Sequence, residues 1–226
     1  MTLRNWLSYK IPIDEILYNS SIHPDDKKEL KLKDDGFIKE PIGVSLSITK
    51  DVLKQINLIE PSELNKNLMY FALRVNSDKN RTSGEKKRGK INRETIVNTL
   101  KEKGYQFPLV PSKQYIESLL KSKFCPSPEG NGIDCHRHWE SLYCKTIPII
   151  EDNEKMKTKL TNLPVIYTTD YSEINDDYLN EKYNEMLDIE YDFSSLFLSY
   201  YNQTEKNKII KRGLYWSRRY NKPDFY

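Results

Sequence analysis

The chain has 226 residues, of which 31% are charged and 12% are aromatic. This length suits one medium-sized domain with its own core, and the aromatic content is too high for a disordered chain. Basic and acidic side chains nearly balance, at a formal net charge of +3, so the charge does not favour a nucleic-acid partner.

Membrane and export signals are not apparent in the sequence. No apolar run approaches the roughly 20 residues that cross a bilayer, and the first residues lack the apolar core of a signal peptide. The three cysteines, at positions 125, 135 and 144, form no Cys-x-x-Cys pair, which favours a reducing compartment. We therefore expect a soluble cytoplasmic protein without a membrane span.

The N-terminal quarter of the chain, residues 1–62, shows little regular periodicity. Four prolines and a run of charged residues interrupt it. Only a short strand at Trp6–Ile13 and a short helix at Asp51–Ile59 are predicted there. We interpret residues 1–62 as an irregular extension that packs on the main domain.

Strand-like and helix-like stretches alternate throughout the remaining residues, 63–226. The predicted strands are 68–75, 107–110, a strand that ends at 126, 147–150 and 164–167. The predicted helices are 91–103, 112–122, 134–143, 154–160, 176–187 and a tail over 194–220, with Ser112 and Asp134 as caps. This alternation predicts an α/β fold: a doubly wound, mostly parallel, Rossmann-like sheet covered on both faces, with a helical C-terminal tail.

The loop 127–133, between a predicted strand and helix, carries the clearest chemical signal. Its two glycines permit close approaches of the backbone. Free N–H groups and the positive dipole end of the next helix form an anion site. In open parallel sheets, ligands bind beyond the carboxyl ends of the strands, where this loop would lie. The residues expected to hold the anion are Gly130, Asn131, Gly132, Ile133 and Asp134.

Two charged residues of the predicted helix 134–143 extend this site. Arg137 lies one turn into the helix, where its guanidinium reaches a phosphate. Glu140 follows Asp134 by six positions, or about 9 Å at 1.5 Å per residue. That distance suits a ribose attached to the phosphate, because a carboxylate accepts from vicinal hydroxyls. Spacing by four and three residues places Cys135, Trp139 and Leu142 on the buried face.

Simpler interpretations compete with a ligand site. Most Gly-x-Gly loops only turn the chain, and Glu140 is spaced to pair with His136 on a solvated helix face. A zinc site at Cys135, His136 and His138 is disfavoured, because these positions on one helix do not converge as tetrahedral ligands do. We expect no metal.

Residues 122–150 resemble the C-terminal domain of the exostosin-like glycosyltransferases and related glycan-assembly transferases, which have the GT-B fold. The similarity extends over roughly 37–180 and includes Pro41–Val44 and Leu163–Val165. The matching positions in the most specific block are Ser122–Phe124, Pro126, Pro128, Gly130–Asp134, Arg137, Trp139, Glu140, Leu142 and Ile147–Ile150.

The resemblance implies a metal-independent transferase that moves a sugar from a nucleotide-diphosphate sugar to a glycan acceptor, with no other cofactor. It implies that Glu140 binds the donor ribose and that Gly130–Asp134 with Arg137 bind the diphosphate. Arg81 and Arg88, in the basic loop 76–90, are expected to fold over the diphosphate, although a solvated loop is the simpler interpretation. The alternating carboxylates of 188–192 are interpreted as a polar linker.

The chain departs from the family pattern in composition and in length. His136, His138 and Ser141 replace less basic or smaller residues. A complete GT-B enzyme has two Rossmann-like domains, and residues 1–62 are too few for one of them. This implies a second glycosyltransferase domain or subunit, a homo-oligomer, a fragment of a longer enzyme, a one-domain enzyme, or a non-catalytic partner subunit that binds nucleotide sugars. A nicotinamide-dependent oxidoreductase is disfavoured, because the Gly-x-Gly-x-x-Gly spacing is not met.

Overall fold

The computed structural model describes residues 1–26, 37–75, 92–105 and 108–226. Four strands form one sheet in which every pairing is parallel and the spatial order follows the chain. They are β1 (Asn67–Met69), β2 (Ser122–Pro126), β3 (Ile147–Glu151) and β4 (Ile166–Thr168).

Eight α-helices lie wholly within the described parts of the chain. They are α1 (Leu3–Ser8), α2 (Lys50–Lys54), α3 (Arg93–Glu102), α4 (Ser112–Leu120), α5 (His136–Tyr143), α6 (Glu154–Lys159), α7 (Asp176–Met186) and α8 (Gln203–Arg219). None of the helices found in these ranges is long and apolar enough to cross a membrane.

Helices cover both faces of the sheet. Successive side chains of a strand point to opposite faces. On β2, Phe124 packs edge-on against Tyr183 of α7, with ring centroids 5.9 Å apart. Burial raises the pKa of the thiol of the next residue, Cys125, to about 11, and the nearby positive charge of Arg137 on α5 opposes this rise. The predicted α/β, Rossmann-like architecture with a parallel sheet is therefore confirmed, although the strand-order reversal of a doubly wound sheet does not occur among the four strands described.

Several local predictions were wrong. Trp6–Ile13 is not a strand, because Leu3–Ser8 forms α1. Positions 108–110 of the predicted strand 107–110 have no regular structure, and position 107 lies outside the described residues. Residues 70–74 leave the sheet after β1. The tail is not one helix, since two 3₁₀ turns, Ser194–Leu196 and Leu198–Tyr200, precede α8.

The N-terminal segment shares the core of the sheet domain. Trp6 stacks on Phe193 at 4.0 Å between ring centroids and donates its indole N–H to the carbonyl of Leu142 at 3.2 Å. Gly43, at φ 65°, makes a turn that no side chain tolerates, because a Cβ there would lie 2.0 Å from the carbonyl oxygen of Leu17. This turn directs the following residues toward α5.

Candidate functional site

A cleft of about 720 Å³ lies at the carboxyl ends of β1 and β2. Its walls come from the residues after β1, the start of α4, the glycine loop with α5, and the N-terminal segment. The lining residues that carry the argument below are Ser45, Arg93, Tyr115, Gly132, Arg137 and Glu140. The cleft therefore lies where ligands bind in open parallel sheets.

His138 supports the glycine loop through hydrogen bonds made inside the protein. It is fully buried, and burial lowers the pKa of its imidazole to about 4. The neutral ring donates from Nε2 to the carbonyl of Ile133 at 3.2 Å and accepts at Nδ1 from the hydroxyl of Ser127 at 2.7 Å. His138 is thus a structural residue, and the described residues contain no cluster suited to a metal ion.

Arg93, which sequence reasoning missed, supports the same loop. Its Nε donates to the carbonyl of Glu129 and its Nη2 to the carbonyl of Pro128, each at 2.9 Å. A side chain at Gly130 would begin 3.0 Å from Nη2, so this glycine permits the close approach. One signal was available: Arg93 is the first residue of α3, where the helix dipole disfavours a positive charge.

The start of α5 was predicted to be capped by Asp134, and this was wrong. Cys135 is the N-cap residue, and no side chain caps the helix. The carboxylate of Asp134 instead accepts from Trp139 Nε1 at 2.7 Å and from Lys159 Nζ at 2.8 Å. Both side chains of the Asp134–Lys159 ion pair are at most 5% exposed. The carboxylate therefore leaves the helix start open.

The loop before α5 offers backbone donors to a ligand. Within the described ranges, no acceptor is hydrogen-bonded to the N–H groups of Gly132, Ile133 or Asp134, whereas the N–H of Gly130 binds the carbonyl of Gly132 at 3.1 Å. Gly132 and Asp134 line the cleft together with Gly130 and Asn131, and the side chain of Ile133 is buried beneath them. Of the residues predicted to bind the anion, those with unpaired backbone N–H groups in the described ranges are therefore Gly132, Ile133 and Asp134.

Arg137 brings a half-buried positive charge to the cleft. Its Nη2 donates to the carbonyl of Ala72, in the segment after β1, at 2.7 Å. Its Nε is buried and has no hydrogen-bond partner in the described part of the chain. An unsatisfied guanidinium N–H costs free energy until an acceptor reaches it, so this side chain favours an anionic ligand.

Glu140 lies one turn further along α5, on the cleft and only 5% exposed. Its Oε1 accepts from the backbone N–H of Ser45 at 3.0 Å, and its Oε2 accepts from the hydroxyl of Tyr115 at 2.8 Å. Each carboxylate oxygen can accept two hydrogen bonds, so each has one acceptor position that these contacts do not use. The alternative pairing with His136 is wrong, because His136 donates from Nδ1 to the carbonyl of Gly43 at 2.8 Å.

Two further sequence predictions concern the basic loop 76–90 and the acidic segment 188–192. Arg81 and Arg88 fall outside the described residues. In the acidic segment, Asp188 pairs with Arg4 at 3.0 Å, and Asp192 accepts from the N–H of Ser194 at 2.9 Å. These contacts fit the polar-linker interpretation of residues 188–192.

No model of a known protein family matches the chain, and no curated protein gives a significant match. The case for a function therefore rests on the cleft and its side chains.

Proposed function

We propose that the cleft binds a nucleoside-diphosphate sugar and that the chain is the donor-binding half of a glycosyltransferase. The observation that carries this proposal is the guanidinium of Arg137, which lines the cleft and whose Nε has no partner among the described residues. The same cleft is lined by Gly132 and Asp134, whose backbone N–H groups have no acceptor within the described ranges, and by the carboxylate of Glu140. This combination suits a ligand that is anionic at one end and rich in hydroxyls at the other.

The diphosphate lies at the start of α5. The backbone N–H groups and the positive end of the helix dipole attract phosphate oxygens. The guanidinium of Arg137, which lines the cleft, adds its positive charge and its remaining N–H donors. In a transfer reaction, these same groups stabilise the negative charge that develops on the leaving diphosphate, so the chemistry proceeds without a metal ion.

The ribose lies against Glu140. Residues three apart on a helix are neighbours on its surface, so Arg137 and Glu140 contact adjacent parts of one ligand. The remaining acceptor positions of the carboxylate bind the 2′- and 3′-hydroxyls. The glycan acceptor and the base that activates it come from a second glycosyltransferase domain or subunit, or from another copy of this chain.

A binding role without catalysis is the second candidate. The two carboxylates that line the cleft both have partners in the protein: Asp134 forms a buried ion pair with Lys159, and Glu140 accepts from Ser45 and Tyr115. A carboxylate in such contacts is a poor general base. This observation favours a partner subunit that retains a nucleotide-sugar site.

Calorimetric titration with UDP, GDP, CDP and ADP, and with the matching nucleosides, tests the proposal. Binding of at least one diphosphate, much tighter than its nucleoside, is expected. Release of free diphosphate from the corresponding nucleotide sugars in the presence of oligosaccharide acceptors then separates the transferase from the binding subunit. Absence of binding by all four diphosphates would refute both candidates.

Arg137→Ala is expected to weaken diphosphate binding about 10- to 100-fold, because a hydrogen bond to a charged group contributes about 1.5–3 kcal/mol. The nucleoside, which does not reach the start of α5, should bind as before. Titration of both ligands measures the difference. Arg218→Ala, which removes a surface partner of Asp224, is the control and should change neither affinity. Equal losses for diphosphate and nucleoside would contradict the phosphate role.

Glu140→Gln is expected to weaken binding of the ribonucleotide by about 1–3 kcal/mol, because the neutral amide loses charge and acceptor capacity. Stability should change little. The amide oxygen can accept from Ser45, and the amide nitrogen can donate to the phenolic oxygen of Tyr115. Titration and thermal melting of the same samples check both statements. An unchanged affinity in a folded variant would remove the ribose role.

A further inference from the structure

The carboxylate of Glu140 is held by two elements that are distant in sequence. Ser45, 95 positions before Glu140, donates its backbone N–H to Oε1. Tyr115, near the start of α4 and 25 positions before Glu140, donates its hydroxyl to Oε2. These are the only hydrogen bonds to this carboxylate within the described ranges. The two oxygens are therefore fixed from two sides.

Tyr115 acts only as a donor in this contact. Burial, and then the negative charge of Glu140, raise the pKa of its phenol well above the ordinary value of 10. The proton therefore stays on the phenol at any physiological pH, and Oε2 accepts it. The ring of Tyr115 also lines the cleft.

We propose that Tyr115 is a positioning residue that holds Glu140 in the orientation that selects ribose over 2′-deoxyribose. The inference rests on the proposed nucleotide function. The terminal torsion of a glutamate is broad and has no strong intrinsic preference. Without a donor to Oε2, the carboxylate can rotate about this torsion. A ribose that binds both oxygens through its 2′- and 3′-hydroxyls must then fix the orientation itself, which costs binding free energy.

The test compares Tyr115→Phe with the unmodified protein. The ligands are whichever of UDP, GDP, CDP and ADP binds most tightly and its 2′-deoxy counterpart. Each affinity is measured by titration, and the reported quantity is the ratio of the ribo to the deoxyribo affinity. Phenylalanine keeps the ring, and circular dichroism and thermal melting establish that the variant is folded.

Tyr70→Phe is the matched control. Tyr70 also lines the cleft, with its ring centroid 6.1 Å from that of Tyr115, but its hydroxyl does not bind Glu140. It controls for the loss of a phenol hydroxyl from the cleft wall. Any general effect of a less polar wall should appear equally in both variants.

The unmodified protein is expected to prefer the ribonucleotide by about 10-fold, the effect of one hydrogen bond to a charged group. Tyr115→Phe should reduce this preference to about 2- to 3-fold, and Tyr70→Phe should retain it. An unchanged ratio in folded Tyr115→Phe, or an equal loss in both variants, overturns the inference and leaves nucleotide binding intact. Tight diphosphate binding with no ribose preference removes the role of Glu140 as well. Absence of nucleotide binding removes the proposed function and this inference together.

Discussion

Trp139→Ala is expected to lower the free energy of unfolding by about 3–5 kcal/mol, the range for truncating a large buried aromatic side chain. The side chain of Trp139 is fully buried in the main core. Its indole N–H also donates to Asp134 at 2.7 Å, so the truncation opens a cavity and removes one donor from a buried carboxylate. Denaturant unfolding followed by circular dichroism measures the loss.

Two further variants separate the loss of the buried ring from the loss of its hydrogen bond and from the general effect of removing an aromatic residue. Trp139→Phe keeps most of the ring and loses the N–H donor, so it should cost less than the alanine variant. Tyr220→Ala removes an aromatic residue that is 56% exposed and should change stability by less than about 0.5 kcal/mol. A Trp139→Ala protein as stable as the Tyr220→Ala protein would be incompatible with the assigned buried face of α5.

Lys159→Met is expected to destabilise the protein by about 3–5 kcal/mol, because it leaves a buried carboxylate without its cation. The Lys159 ammonium lies 2.8 Å from Asp134, and both side chains are nearly inaccessible to solvent. The same ammonium donates to the carbonyls of Ile38 and Glu40 at 2.6 and 3.2 Å. The substitution therefore also loosens the N-terminal segment from α6, and denaturant unfolding should show the combined loss.

The double variant Lys159→Met, Asp134→Asn is the control for this buried pair. Asparagine removes the unpaired charge and retains an oxygen that accepts from Trp139. Most of the lost stability should therefore return. Lys157→Met breaks ion pairs in which the lysine is 37% exposed and should have little effect. If the double variant is no more stable than Lys159→Met, the cost does not come from the isolated carboxylate.

The succession of most strands and helices along the chain was predictable from local pattern, whereas the strand order within the sheet was not. The apolar run at 147–150 and the alternation of strands with helices specify βαβ units, since a parallel sheet needs crossover helices. Spacing also predicted that Trp139 and Leu142 are buried, and both are. Cys135, the third residue predicted for that face, is instead the partly exposed N-cap residue of α5 and lines the cleft. These features depend on periodicities of a few residues, which a sequence displays directly.

Local pattern misled at short, irregular elements. Leu3–Ser8 forms a helix whose apolar residues face the core formed by the rest of the chain, and a six-residue helix has little stability of its own. Asp134 has the residue type of a helix cap. Its carboxylate contacts Lys159 and Trp139 instead, because the tertiary fold buries it beside these two donors and a buried charge requires partners.

The sequence by itself determined the fold class, the position of the glycine loop and the helix that carries Arg137 and Glu140. Only the tertiary structure decided which groups surround them. Arg93 reaches the loop across 36 positions, and Ser45 reaches Glu140 across 95. Residue spacing does not predict such contacts, because the partners are distant in sequence and meet only when the whole chain has folded. The orientation of Glu140, on which the proposed ribose site depends, is therefore a property of the folded molecule alone.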